Sequence, residues 1–484
     1  MKQYERFAVC LRKLLKQKNV SVTELSRMMG FKSRNSLFRI VNDQTSSDTE
    51  AAFLASLREK GVLPLSDAEW GDLEVALEIS RYGKNEFIAR KAISHLMMET
   101  HDPPDDAGDE PHPLNAIIGE FVDCTEVRMM ICNCCRLSFM QALRNSLVTF
   151  PNTVKLSIEH YIHSSQEMVV QNIAATRPLL FFDWYKPYIV PPHACSSERD
   201  AMLRTSCFSI IGTDAQGRRL QRQFFMLAEF ELRELRLEMG FELLLVKMLD
   251  GMRDCITPMK DRPHCPDDLP QTYLAYTEDY RQLERNRAVY SIKPDIPINY
   301  IHPDLLRQPL IDGFMQLGMA PNDESEALIG QFYDIHLKRW ENFANKSKVT
   351  HTVFTRKAME RFARTGRQSD HFFGMRPYTP DERRSILTAL REMAVSNPYF
   401  NVHFLKDSTG VDPGEITLYD GRGVLLTCPG TDYDLGGDHT EVLITNESFA
   451  DKFRDFYLHE LLVSHVMGYH ETLAVLDELI RMIE

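Results

Sequence analysis

Apolar residues recur at helical spacing through the first hundred positions, then give way to strand-like alternation after an acidic, proline-rich break. Residues 3–17 put Phe7, Leu11, Leu14 and Leu15 on one face and basic side chains on the other, which predicts a helix. Val22, Leu25 and Met29 mark a second, with Ser21 as N-cap and Gly30 at the left-handed stop. Ser33 caps a third, whose apolar face is Leu37, Ile40 and Val41, and a fourth runs from about Thr49 to Lys60, closed by Gly61. Ser66 and Glu69 form a capping box flanked by a Leu65–Trp70 staple, and Trp70, Leu73 and Leu77 continue its stripe. A further helix is expected over Asn85 to Met98. Residues 1–63 thus read as a compact all-α domain and 64–100 as a helical extension joining it to the rest.

The segment "HDPPDDAGDEPHP", residues 101–113, has five acidic residues, four prolines and no Lys or Arg, and reads as a linker. Beyond it strands and helices mix. "VRMMIC" and "TVKLSIEHYI" read as strands around a helix at Leu137–Thr149. "SCFSIIGTDAQGRRLQRQFFMLAEF" reads as a hairpin turning at Asp214–Gly217, followed by a long helix from Glu231 to Met252. Residues 255–323 are proline-rich, with a helical piece near Tyr273–Val289. A long helix covers Glu324–Ala344. Thr379, Pro380 and Glu382 then mark a helix start. "YFNVHFLK" is a strand, "GEITLYDGRGVLLTCP" a hairpin around Asp420–Gly423, and Ser448–Leu462 and Glu471–Ile483 are helices. Helix, strand, hairpin, helix occurs twice, though at unequal spacing, which raises a duplicated module. The expected fold is multidomain: an all-α N-terminal helix-turn-helix domain plus a large α/β (mixed α+β) body. That body divides into a sensor module at 114–323 and a sensor and oligomerisation module at 324–484.

Charge sharpens this division. A net charge of −13 argues against a chain coated in nucleic acid or lying on an anionic membrane. Yet residues 1–60 hold 12 Lys/Arg against 6 Asp/Glu, leaving −19 on the other 424 residues. A small basic head on an acidic body is the footprint of a localised DNA contact. Arg12 and Lys13 interrupt the only basic-apolar start that could serve as an export signal, and no apolar run reaches about 18 residues. A cytoplasmic chain with no membrane span and ten reduced cysteines is the expectation.

On a helical wheel of about 100° per residue, Asn35, Arg39 and Asn42 lie opposite Leu37, Ile40 and Val41. Asn can pair bidentately with adenine, and Arg with guanine, in the major groove. Lys32, Ser33 and Arg34 stand at the helix N-terminus, where amides and positive charge favour a phosphate. Phe38 flanks the outward face, where it either meets a thymine methyl or packs against the next helix, and packing is the favoured reading.

The stretch "VTELSRMMGFKSRNSLFRIVND" resembles the helix-turn-helix of Cro/C1-type, lambda-repressor-like (Xre family) transcription regulators. Leu25–Ser26 stands where the family has Leu-Ala, Gly30 is at the turn, and Leu37 and Ile40 are core positions of the recognition helix. The resemblance covers about residues 5–60. It departs at Ser26 and in "FKSRNS", which is one residue longer than the common turn, so Ser36 can exchange roles with Asn35. The resemblance implies a duplex-DNA reader whose site residues are Lys32, Ser33, Arg34, Asn35, Ser36 and Arg39.

The body offers near-motifs that fail on spacing. "HELLVSH" separates His459 from His465 by six positions where a zinc protease needs four. "DYDLGGDHTE" starts like a calcium loop at Asp432 and Asp434 but has Leu443 where a Glu is required. Cys132, Cys134 and Cys135 lack paired zinc spacing, even with His160, His163 or the His193/Cys195 pair nearby, and read as buried thiols. A doubled α/β body with hairpins is similar to phospholipase-D-like folds, but Lys406 follows His403 by three places rather than two, which implies a non-catalytic version. No catalytic residue, cofactor or metal is assigned. The first expectation is a transcription regulator that binds double-stranded DNA, with a small-molecule or protein effector for its body and a homodimer or higher even oligomer as its assembly. The competing classes are an enzyme with an unrecognised site in the body and a scaffold that uses the hairpin for protein contacts.

Overall fold

The computed structural model describes the chain from residue 5 to residue 483, apart from residues 32, 98–112, 149, 152, 164–167, 191–205, 229–230, 235–256, 259, 262–270, 295, 317–322, 345–347, 369–375, 407–414 and 428–440. It forms two units, Met1–Ala92 and Ile93–Glu484.

The first unit is helical. Helices α1 (Phe7–Gln17), α2 (Val22–Met28), α3 (Arg34–Val41), α4 (Ser47–Lys60) and α5 (Asp67–Tyr82) each start where a side chain or an extended residue frees the backbone from the helix. Ser21 accepts from the Glu24 amide, Ser33 from Asn35 and Ser46 from Thr49, and Ser66 and Glu69 close a reciprocal capping box. Phe7, Leu11, Leu25, Leu37, Ile40, Val41, Phe53 and Leu57 meet in one core. Leu73 is fully buried in that same core, with Leu65, Trp70 and Leu77 packed against it. Helix α5 therefore shares the core of the first four helices, although the sequence expectation set residues 64–100 apart as an extension. A core of four short helices gains another apolar stripe this way. Helix α6 (Lys84–Met97) follows Gly83.

In the second unit the expected linker lies outside the described residues, except for Pro113, which opens α7 (Pro113–Gly119). The first sheet comprises β1 (Cys124–Cys132), β2 (Lys155–His163), β3 (Tyr185–Val190), β4 (Cys207–Asp214), β5 (Arg219–Ala228), β6 (Glu231–Glu234) and β7 (Thr257–Pro258), in the order β6-β5-β4-β1-β2-β3-β7. Strands β1, β2 and β3 are parallel and the other pairings antiparallel. Helices α8 (Leu137–Leu147) and α9 (Val169–Leu180) make the crossovers, as parallel pairing requires. The long helix expected from Glu231 begins instead as a strand. Residues 231–234 pair with β5 past a bulge and so satisfy the backbone groups along its free edge, and 235–256 lie outside the described residues.

The second sheet uses β8 (Lys260–Asp261), β9 (Val289–Lys293), β10 (Thr350–Phe354), β11 (Phe400–Phe404), β12 (Glu415–Tyr419), β13 (Gly423–Thr427) and β14 (Glu441–Ile444), in the order β11-β10-β9-β12-β13-β14-β8. Its strands β9, β10 and β11 are parallel and the rest antiparallel. Six strands of each sheet thus share one order and one pattern of directions. The seventh, β7 or β8, is added at opposite ends. Residues 260–323 supply two of the second sheet's strands and two of its helices, so the expected module boundary at 323/324 falls inside this sheet's own elements. The reason is a turn at Asn286, in the left-handed region, that stops α10 (Gln271–Glu284) and lets the β-branched and aromatic run from Val289 form a strand where a helix was expected to reach Val289. Helices α11 (Pro303–Gln316), α12 (Asp323–Ala344), α13 (Arg356–Thr365), α14 (Pro380–Ser396) and α16 (Tyr469–Met482) complete this module. Helix α15 (Glu447–Phe456) runs into a π-type segment, Tyr457–His465, rather than continuing as an α-helix to Leu462. Tyr457 places its hydroxyl there on the carbonyls of Ser291 and His351, at 2.9 and 3.1 Å, which anchors the widened turns. None of the described helices is long and apolar enough to cross a membrane.

Glu50, on α4, is 1 % exposed inside the helical unit. Burial raises its carboxyl above the usual range and the charge of Asp43 adds to this, against the Ser80 hydroxyl and Arg6, which lower it. A raised folded value means a contribution fully present below about pH 4.5 that is lost as the pH rises through the folded value. Glu50→Gln is therefore expected to stabilise this unit at pH 7 and to flatten its stability between about pH 4.5 and 7. Hydrogen-exchange protection of α1–α5 in the full chain at the two pH values checks it.

Candidate nucleic-acid interface

Helix α3 is short, and its rotation is set by three buried residues. Leu37, Ile40 and Val41 are at most 4 % exposed and sit in the core with Leu25 and Met29 of the preceding helix segment. The turn that delivers α3 is held from three sides. Gly30 takes φ +72°, the left-handed region in which a Cβ would be strained. Phe31 stacks on Phe53 of α4 with centroids 6.3 Å apart, and the Lys60 ammonium donates to the Met29 carbonyl. Ser26, where the resembled family has Ala, is buried, and its carbonyl accepts from the Phe31 amide at 3.0 Å. A small side chain at this position leaves room for the chain to fold back.

With the apolar triad inward, Asn35, Ser36, Arg39 and Asn42 are exposed. Ser33 is exposed too, but its hydroxyl oxygen is engaged as N-cap, accepting from the Asn35 amide at 3.2 Å. Arg34 is the first residue of α3. Lys32 lies outside the described residues. The Arg39 guanidinium donates to the Gln44 carbonyl at 3.4 Å, and no acidic side chain pairs with it among the described residues. Arg6, by contrast, is held by Asp43 at 2.6 Å, and Lys18 by Glu69 at 2.8 Å. Phe38 departs from expectation. It is 39 % exposed and lies outside the core cluster, which is already filled at the three inward positions.

In the second unit the polar side chains gather elsewhere than the near-motifs. His403 turns to His351, Nε2 to Nδ1 at 3.2 Å, while Lys406 donates to the Ser464 carbonyl at 3.0 Å, so the two face different partners. Burial, then the neighbouring His351, lowers His403 to about 4. Asp432 and Asp434 lie outside the described residues, as do His193 and Cys195. Cys134 donates to the carbonyls of Cys132 and Cys207 at 3.4 and 3.6 Å, and Cys135 lies 3.7 Å from Nε2 of His160. Burial pushes the Cys135 thiol up to about 12 and His160 down to about 3, which leaves both neutral near pH 7. Cys207, opposite Cys132 in the β1/β4 register, was not singled out from the sequence, 75 residues of chain separating two cysteines that a strand pairing joins. Among the described residues, no three His, Cys, Asp or Glu side chains are placed to hold a metal ion.

A polar cavity of about 40 Å³ lies along β9 from Val289 to Lys293, where the parallel strands meet antiparallel β12. Lys293 pairs there with Glu415. Arg339 grips Glu284 through two nitrogens at 2.7 and 3.0 Å, and Asn299 donates to the same carboxylate at 2.9 Å. Burial, then the charge of Glu284, raises the nearby Tyr419 phenol. The cavity's volume suits a few waters. A larger groove of about 520 Å³ lies between α11 and α12, lined by Asp304, Arg307, Ile311, Ile329 and Tyr333. The polar groups at the smaller cavity, Glu284, Lys293, Asn299, Arg339 and Glu415, come from five separate stretches of chain, so no local spacing advertised them.

No family model, curated protein or solved structure matches the chain.

The Glu284 and Arg339 side chains are 0 and 7 % exposed, so removing one strands the other's charge. Arg339→Met is expected to cost about 3–5 kcal/mol, while Glu284→Gln combined with Arg339→Met costs far less. Urea unfolding of the single and double variants measures the difference.

Proposed function

We propose that the chain is a sequence-specific, double-stranded-DNA-binding transcription regulator of the helix-turn-helix kind. Its body senses a small-molecule or protein effector and mediates assembly rather than catalysis. One observation carries the reading. The α2–turn–α3 segment directs its apolar residues inward and offers Asn35, Ser36 and Arg39 to solvent, with Arg39 free of any acidic partner among the described residues. A guanidinium paired with a carboxylate must lose that partner before it can bind guanine, and Arg39 has none to lose. The net charge of +6 on residues 1–60, within a chain of −13, favours a phosphate backbone at this end only.

The body is read as two copies of one α/β module, supported by the shared strand order and directions of the two sheets. The groove between α11 and α12 is the effector site of choice, because its volume falls in the ordinary range for small ligands and the polar cavity's does not. Assembly follows from the same reading, since one helix-turn-helix covers about half of an operator.

Asn35→Ala and Arg39→Ala are expected to cost about 1–3 kcal/mol on the preferred duplex and much less on random duplex. Lys32→Ala and Arg34→Ala are expected to weaken all duplexes alike, each lowering the salt dependence by about one unit. Leu37→Ala is expected to abolish binding through a core cavity costing about 2–5 kcal/mol. Anisotropy titrations at two salt concentrations separate these cases, and retention of full discrimination by the Asn35 and Arg39 variants sinks the reading. Light scattering of the full chain at micromolar concentration, with and without duplex, is expected to give a dimer or higher even oligomer.

A further inference from the structure

Phe38 breaks the pattern of its helix. It is 39 % exposed, whereas Phe7 and Phe53 of the same unit are 0 and 4 % exposed. Phe31 packs against the core. It stands three residues after Asn35 and four before Asn42, the C-cap of α3, so its Cβ atom neighbours each of theirs on one surface, about 5–6 Å away. That spacing matches one to two base steps. Asparagine reads adenine, and the one apolar feature that a base offers in the major groove is the C5-methyl of thymine. An exposed phenyl beside two exposed amides is thus complementary to a run of A·T pairs.

We infer that Phe38 is a specificity-determining residue of the α3 face, seated on a thymine methyl next to an adenine held by Asn35 or Asn42. The inference rests on the DNA-reading proposal and adds the base class that the site selects. Covering one methyl with the phenyl removes both from water. At roughly 0.8 kcal/mol per buried carbon this corresponds to about fourfold in affinity, more if the ring is also covered.

The experiment uses the full chain and a duplex selected by it from a random-sequence library. Each thymine of that duplex is replaced in turn by deoxyuridine, which removes only the C5-methyl. One replacement is expected to weaken the wild-type protein about three- to tenfold and to leave Phe38→Ala unaffected, with Phe38→Leu between them. Circular dichroism is expected to show Phe38→Ala folded, as suits an exposed position. Wild-type binding that ignores every deoxyuridine, or a loss that persists equally in Phe38→Ala, overturns the inference while the DNA reading stands. So does a Phe38→Ala chain that binds DNA normally but changes oligomeric state, since the phenyl then meets a second copy of the protein. If the library yields no duplex enriched over random sequence, the DNA reading itself falls, and this inference with it.

Discussion

Three side chains decide which way α3 faces. Leu37, Ile40 and Val41 cover roughly a 100° arc of an eight-residue helix, and burying all three leaves one rotation available. Every outward feature follows from that constraint: the exposure of Asn35, Ser36 and Arg39, and the displacement of Phe38 to the rim. The approach angle is fixed separately, by Gly30 in its left-handed conformation, Phe31 on Phe53, and Lys60 on the Met29 carbonyl. Helix propensity contributes little in so short an element. Tertiary burial holds it.

The second unit solves a different problem. Each sheet joins a parallel trio to an antiparallel run, so each has a point where the chain reverses its winding. In the second sheet that point is filled by buried ion pairs and hydroxyls. Tyr300 and Ser291 both bond Thr352, at 2.6 and 3.0 Å, beside the Lys293–Glu415 and Glu284–Arg339 pairs. Taking these charges out of water is costly, and apolar residues of equal volume fill such a space at least as stably. The polar filling is tolerated because each carboxylate is met by a cation, and Glu284 also by an amide. In the first sheet the corresponding region holds cysteines and His160, kept neutral by burial.

Local signals carried a good part of the fold. Ser21, Ser33, Ser66 and Thr379 cap helices because a hydroxyl one residue before an apolar stripe satisfies free amides whatever the surroundings. The hairpin turns at Asp214–Gly217 and after Asp420 were legible for the same reason, since Gly217 and Gly421 take the positive φ that a tight turn needs. The first four residues of the run from Glu231 are strand rather than helix because they meet the free edge of β5, a partner that no helical period discloses.

The sequence by itself determined the helical unit, the alternating character of the body, the charge contrast between them, and the set of polar residues on the outward arc of α3. Each of these depends on spacing within one element or on summed charge. Only the tertiary structure decided that α5 joins the first core, that Phe38 is left partly exposed, that Cys132 faces Cys207, and that Glu284 meets Arg339. Those outcomes depend on which distant surfaces compete for the same volume. A residue's own neighbours in the chain do not record that competition.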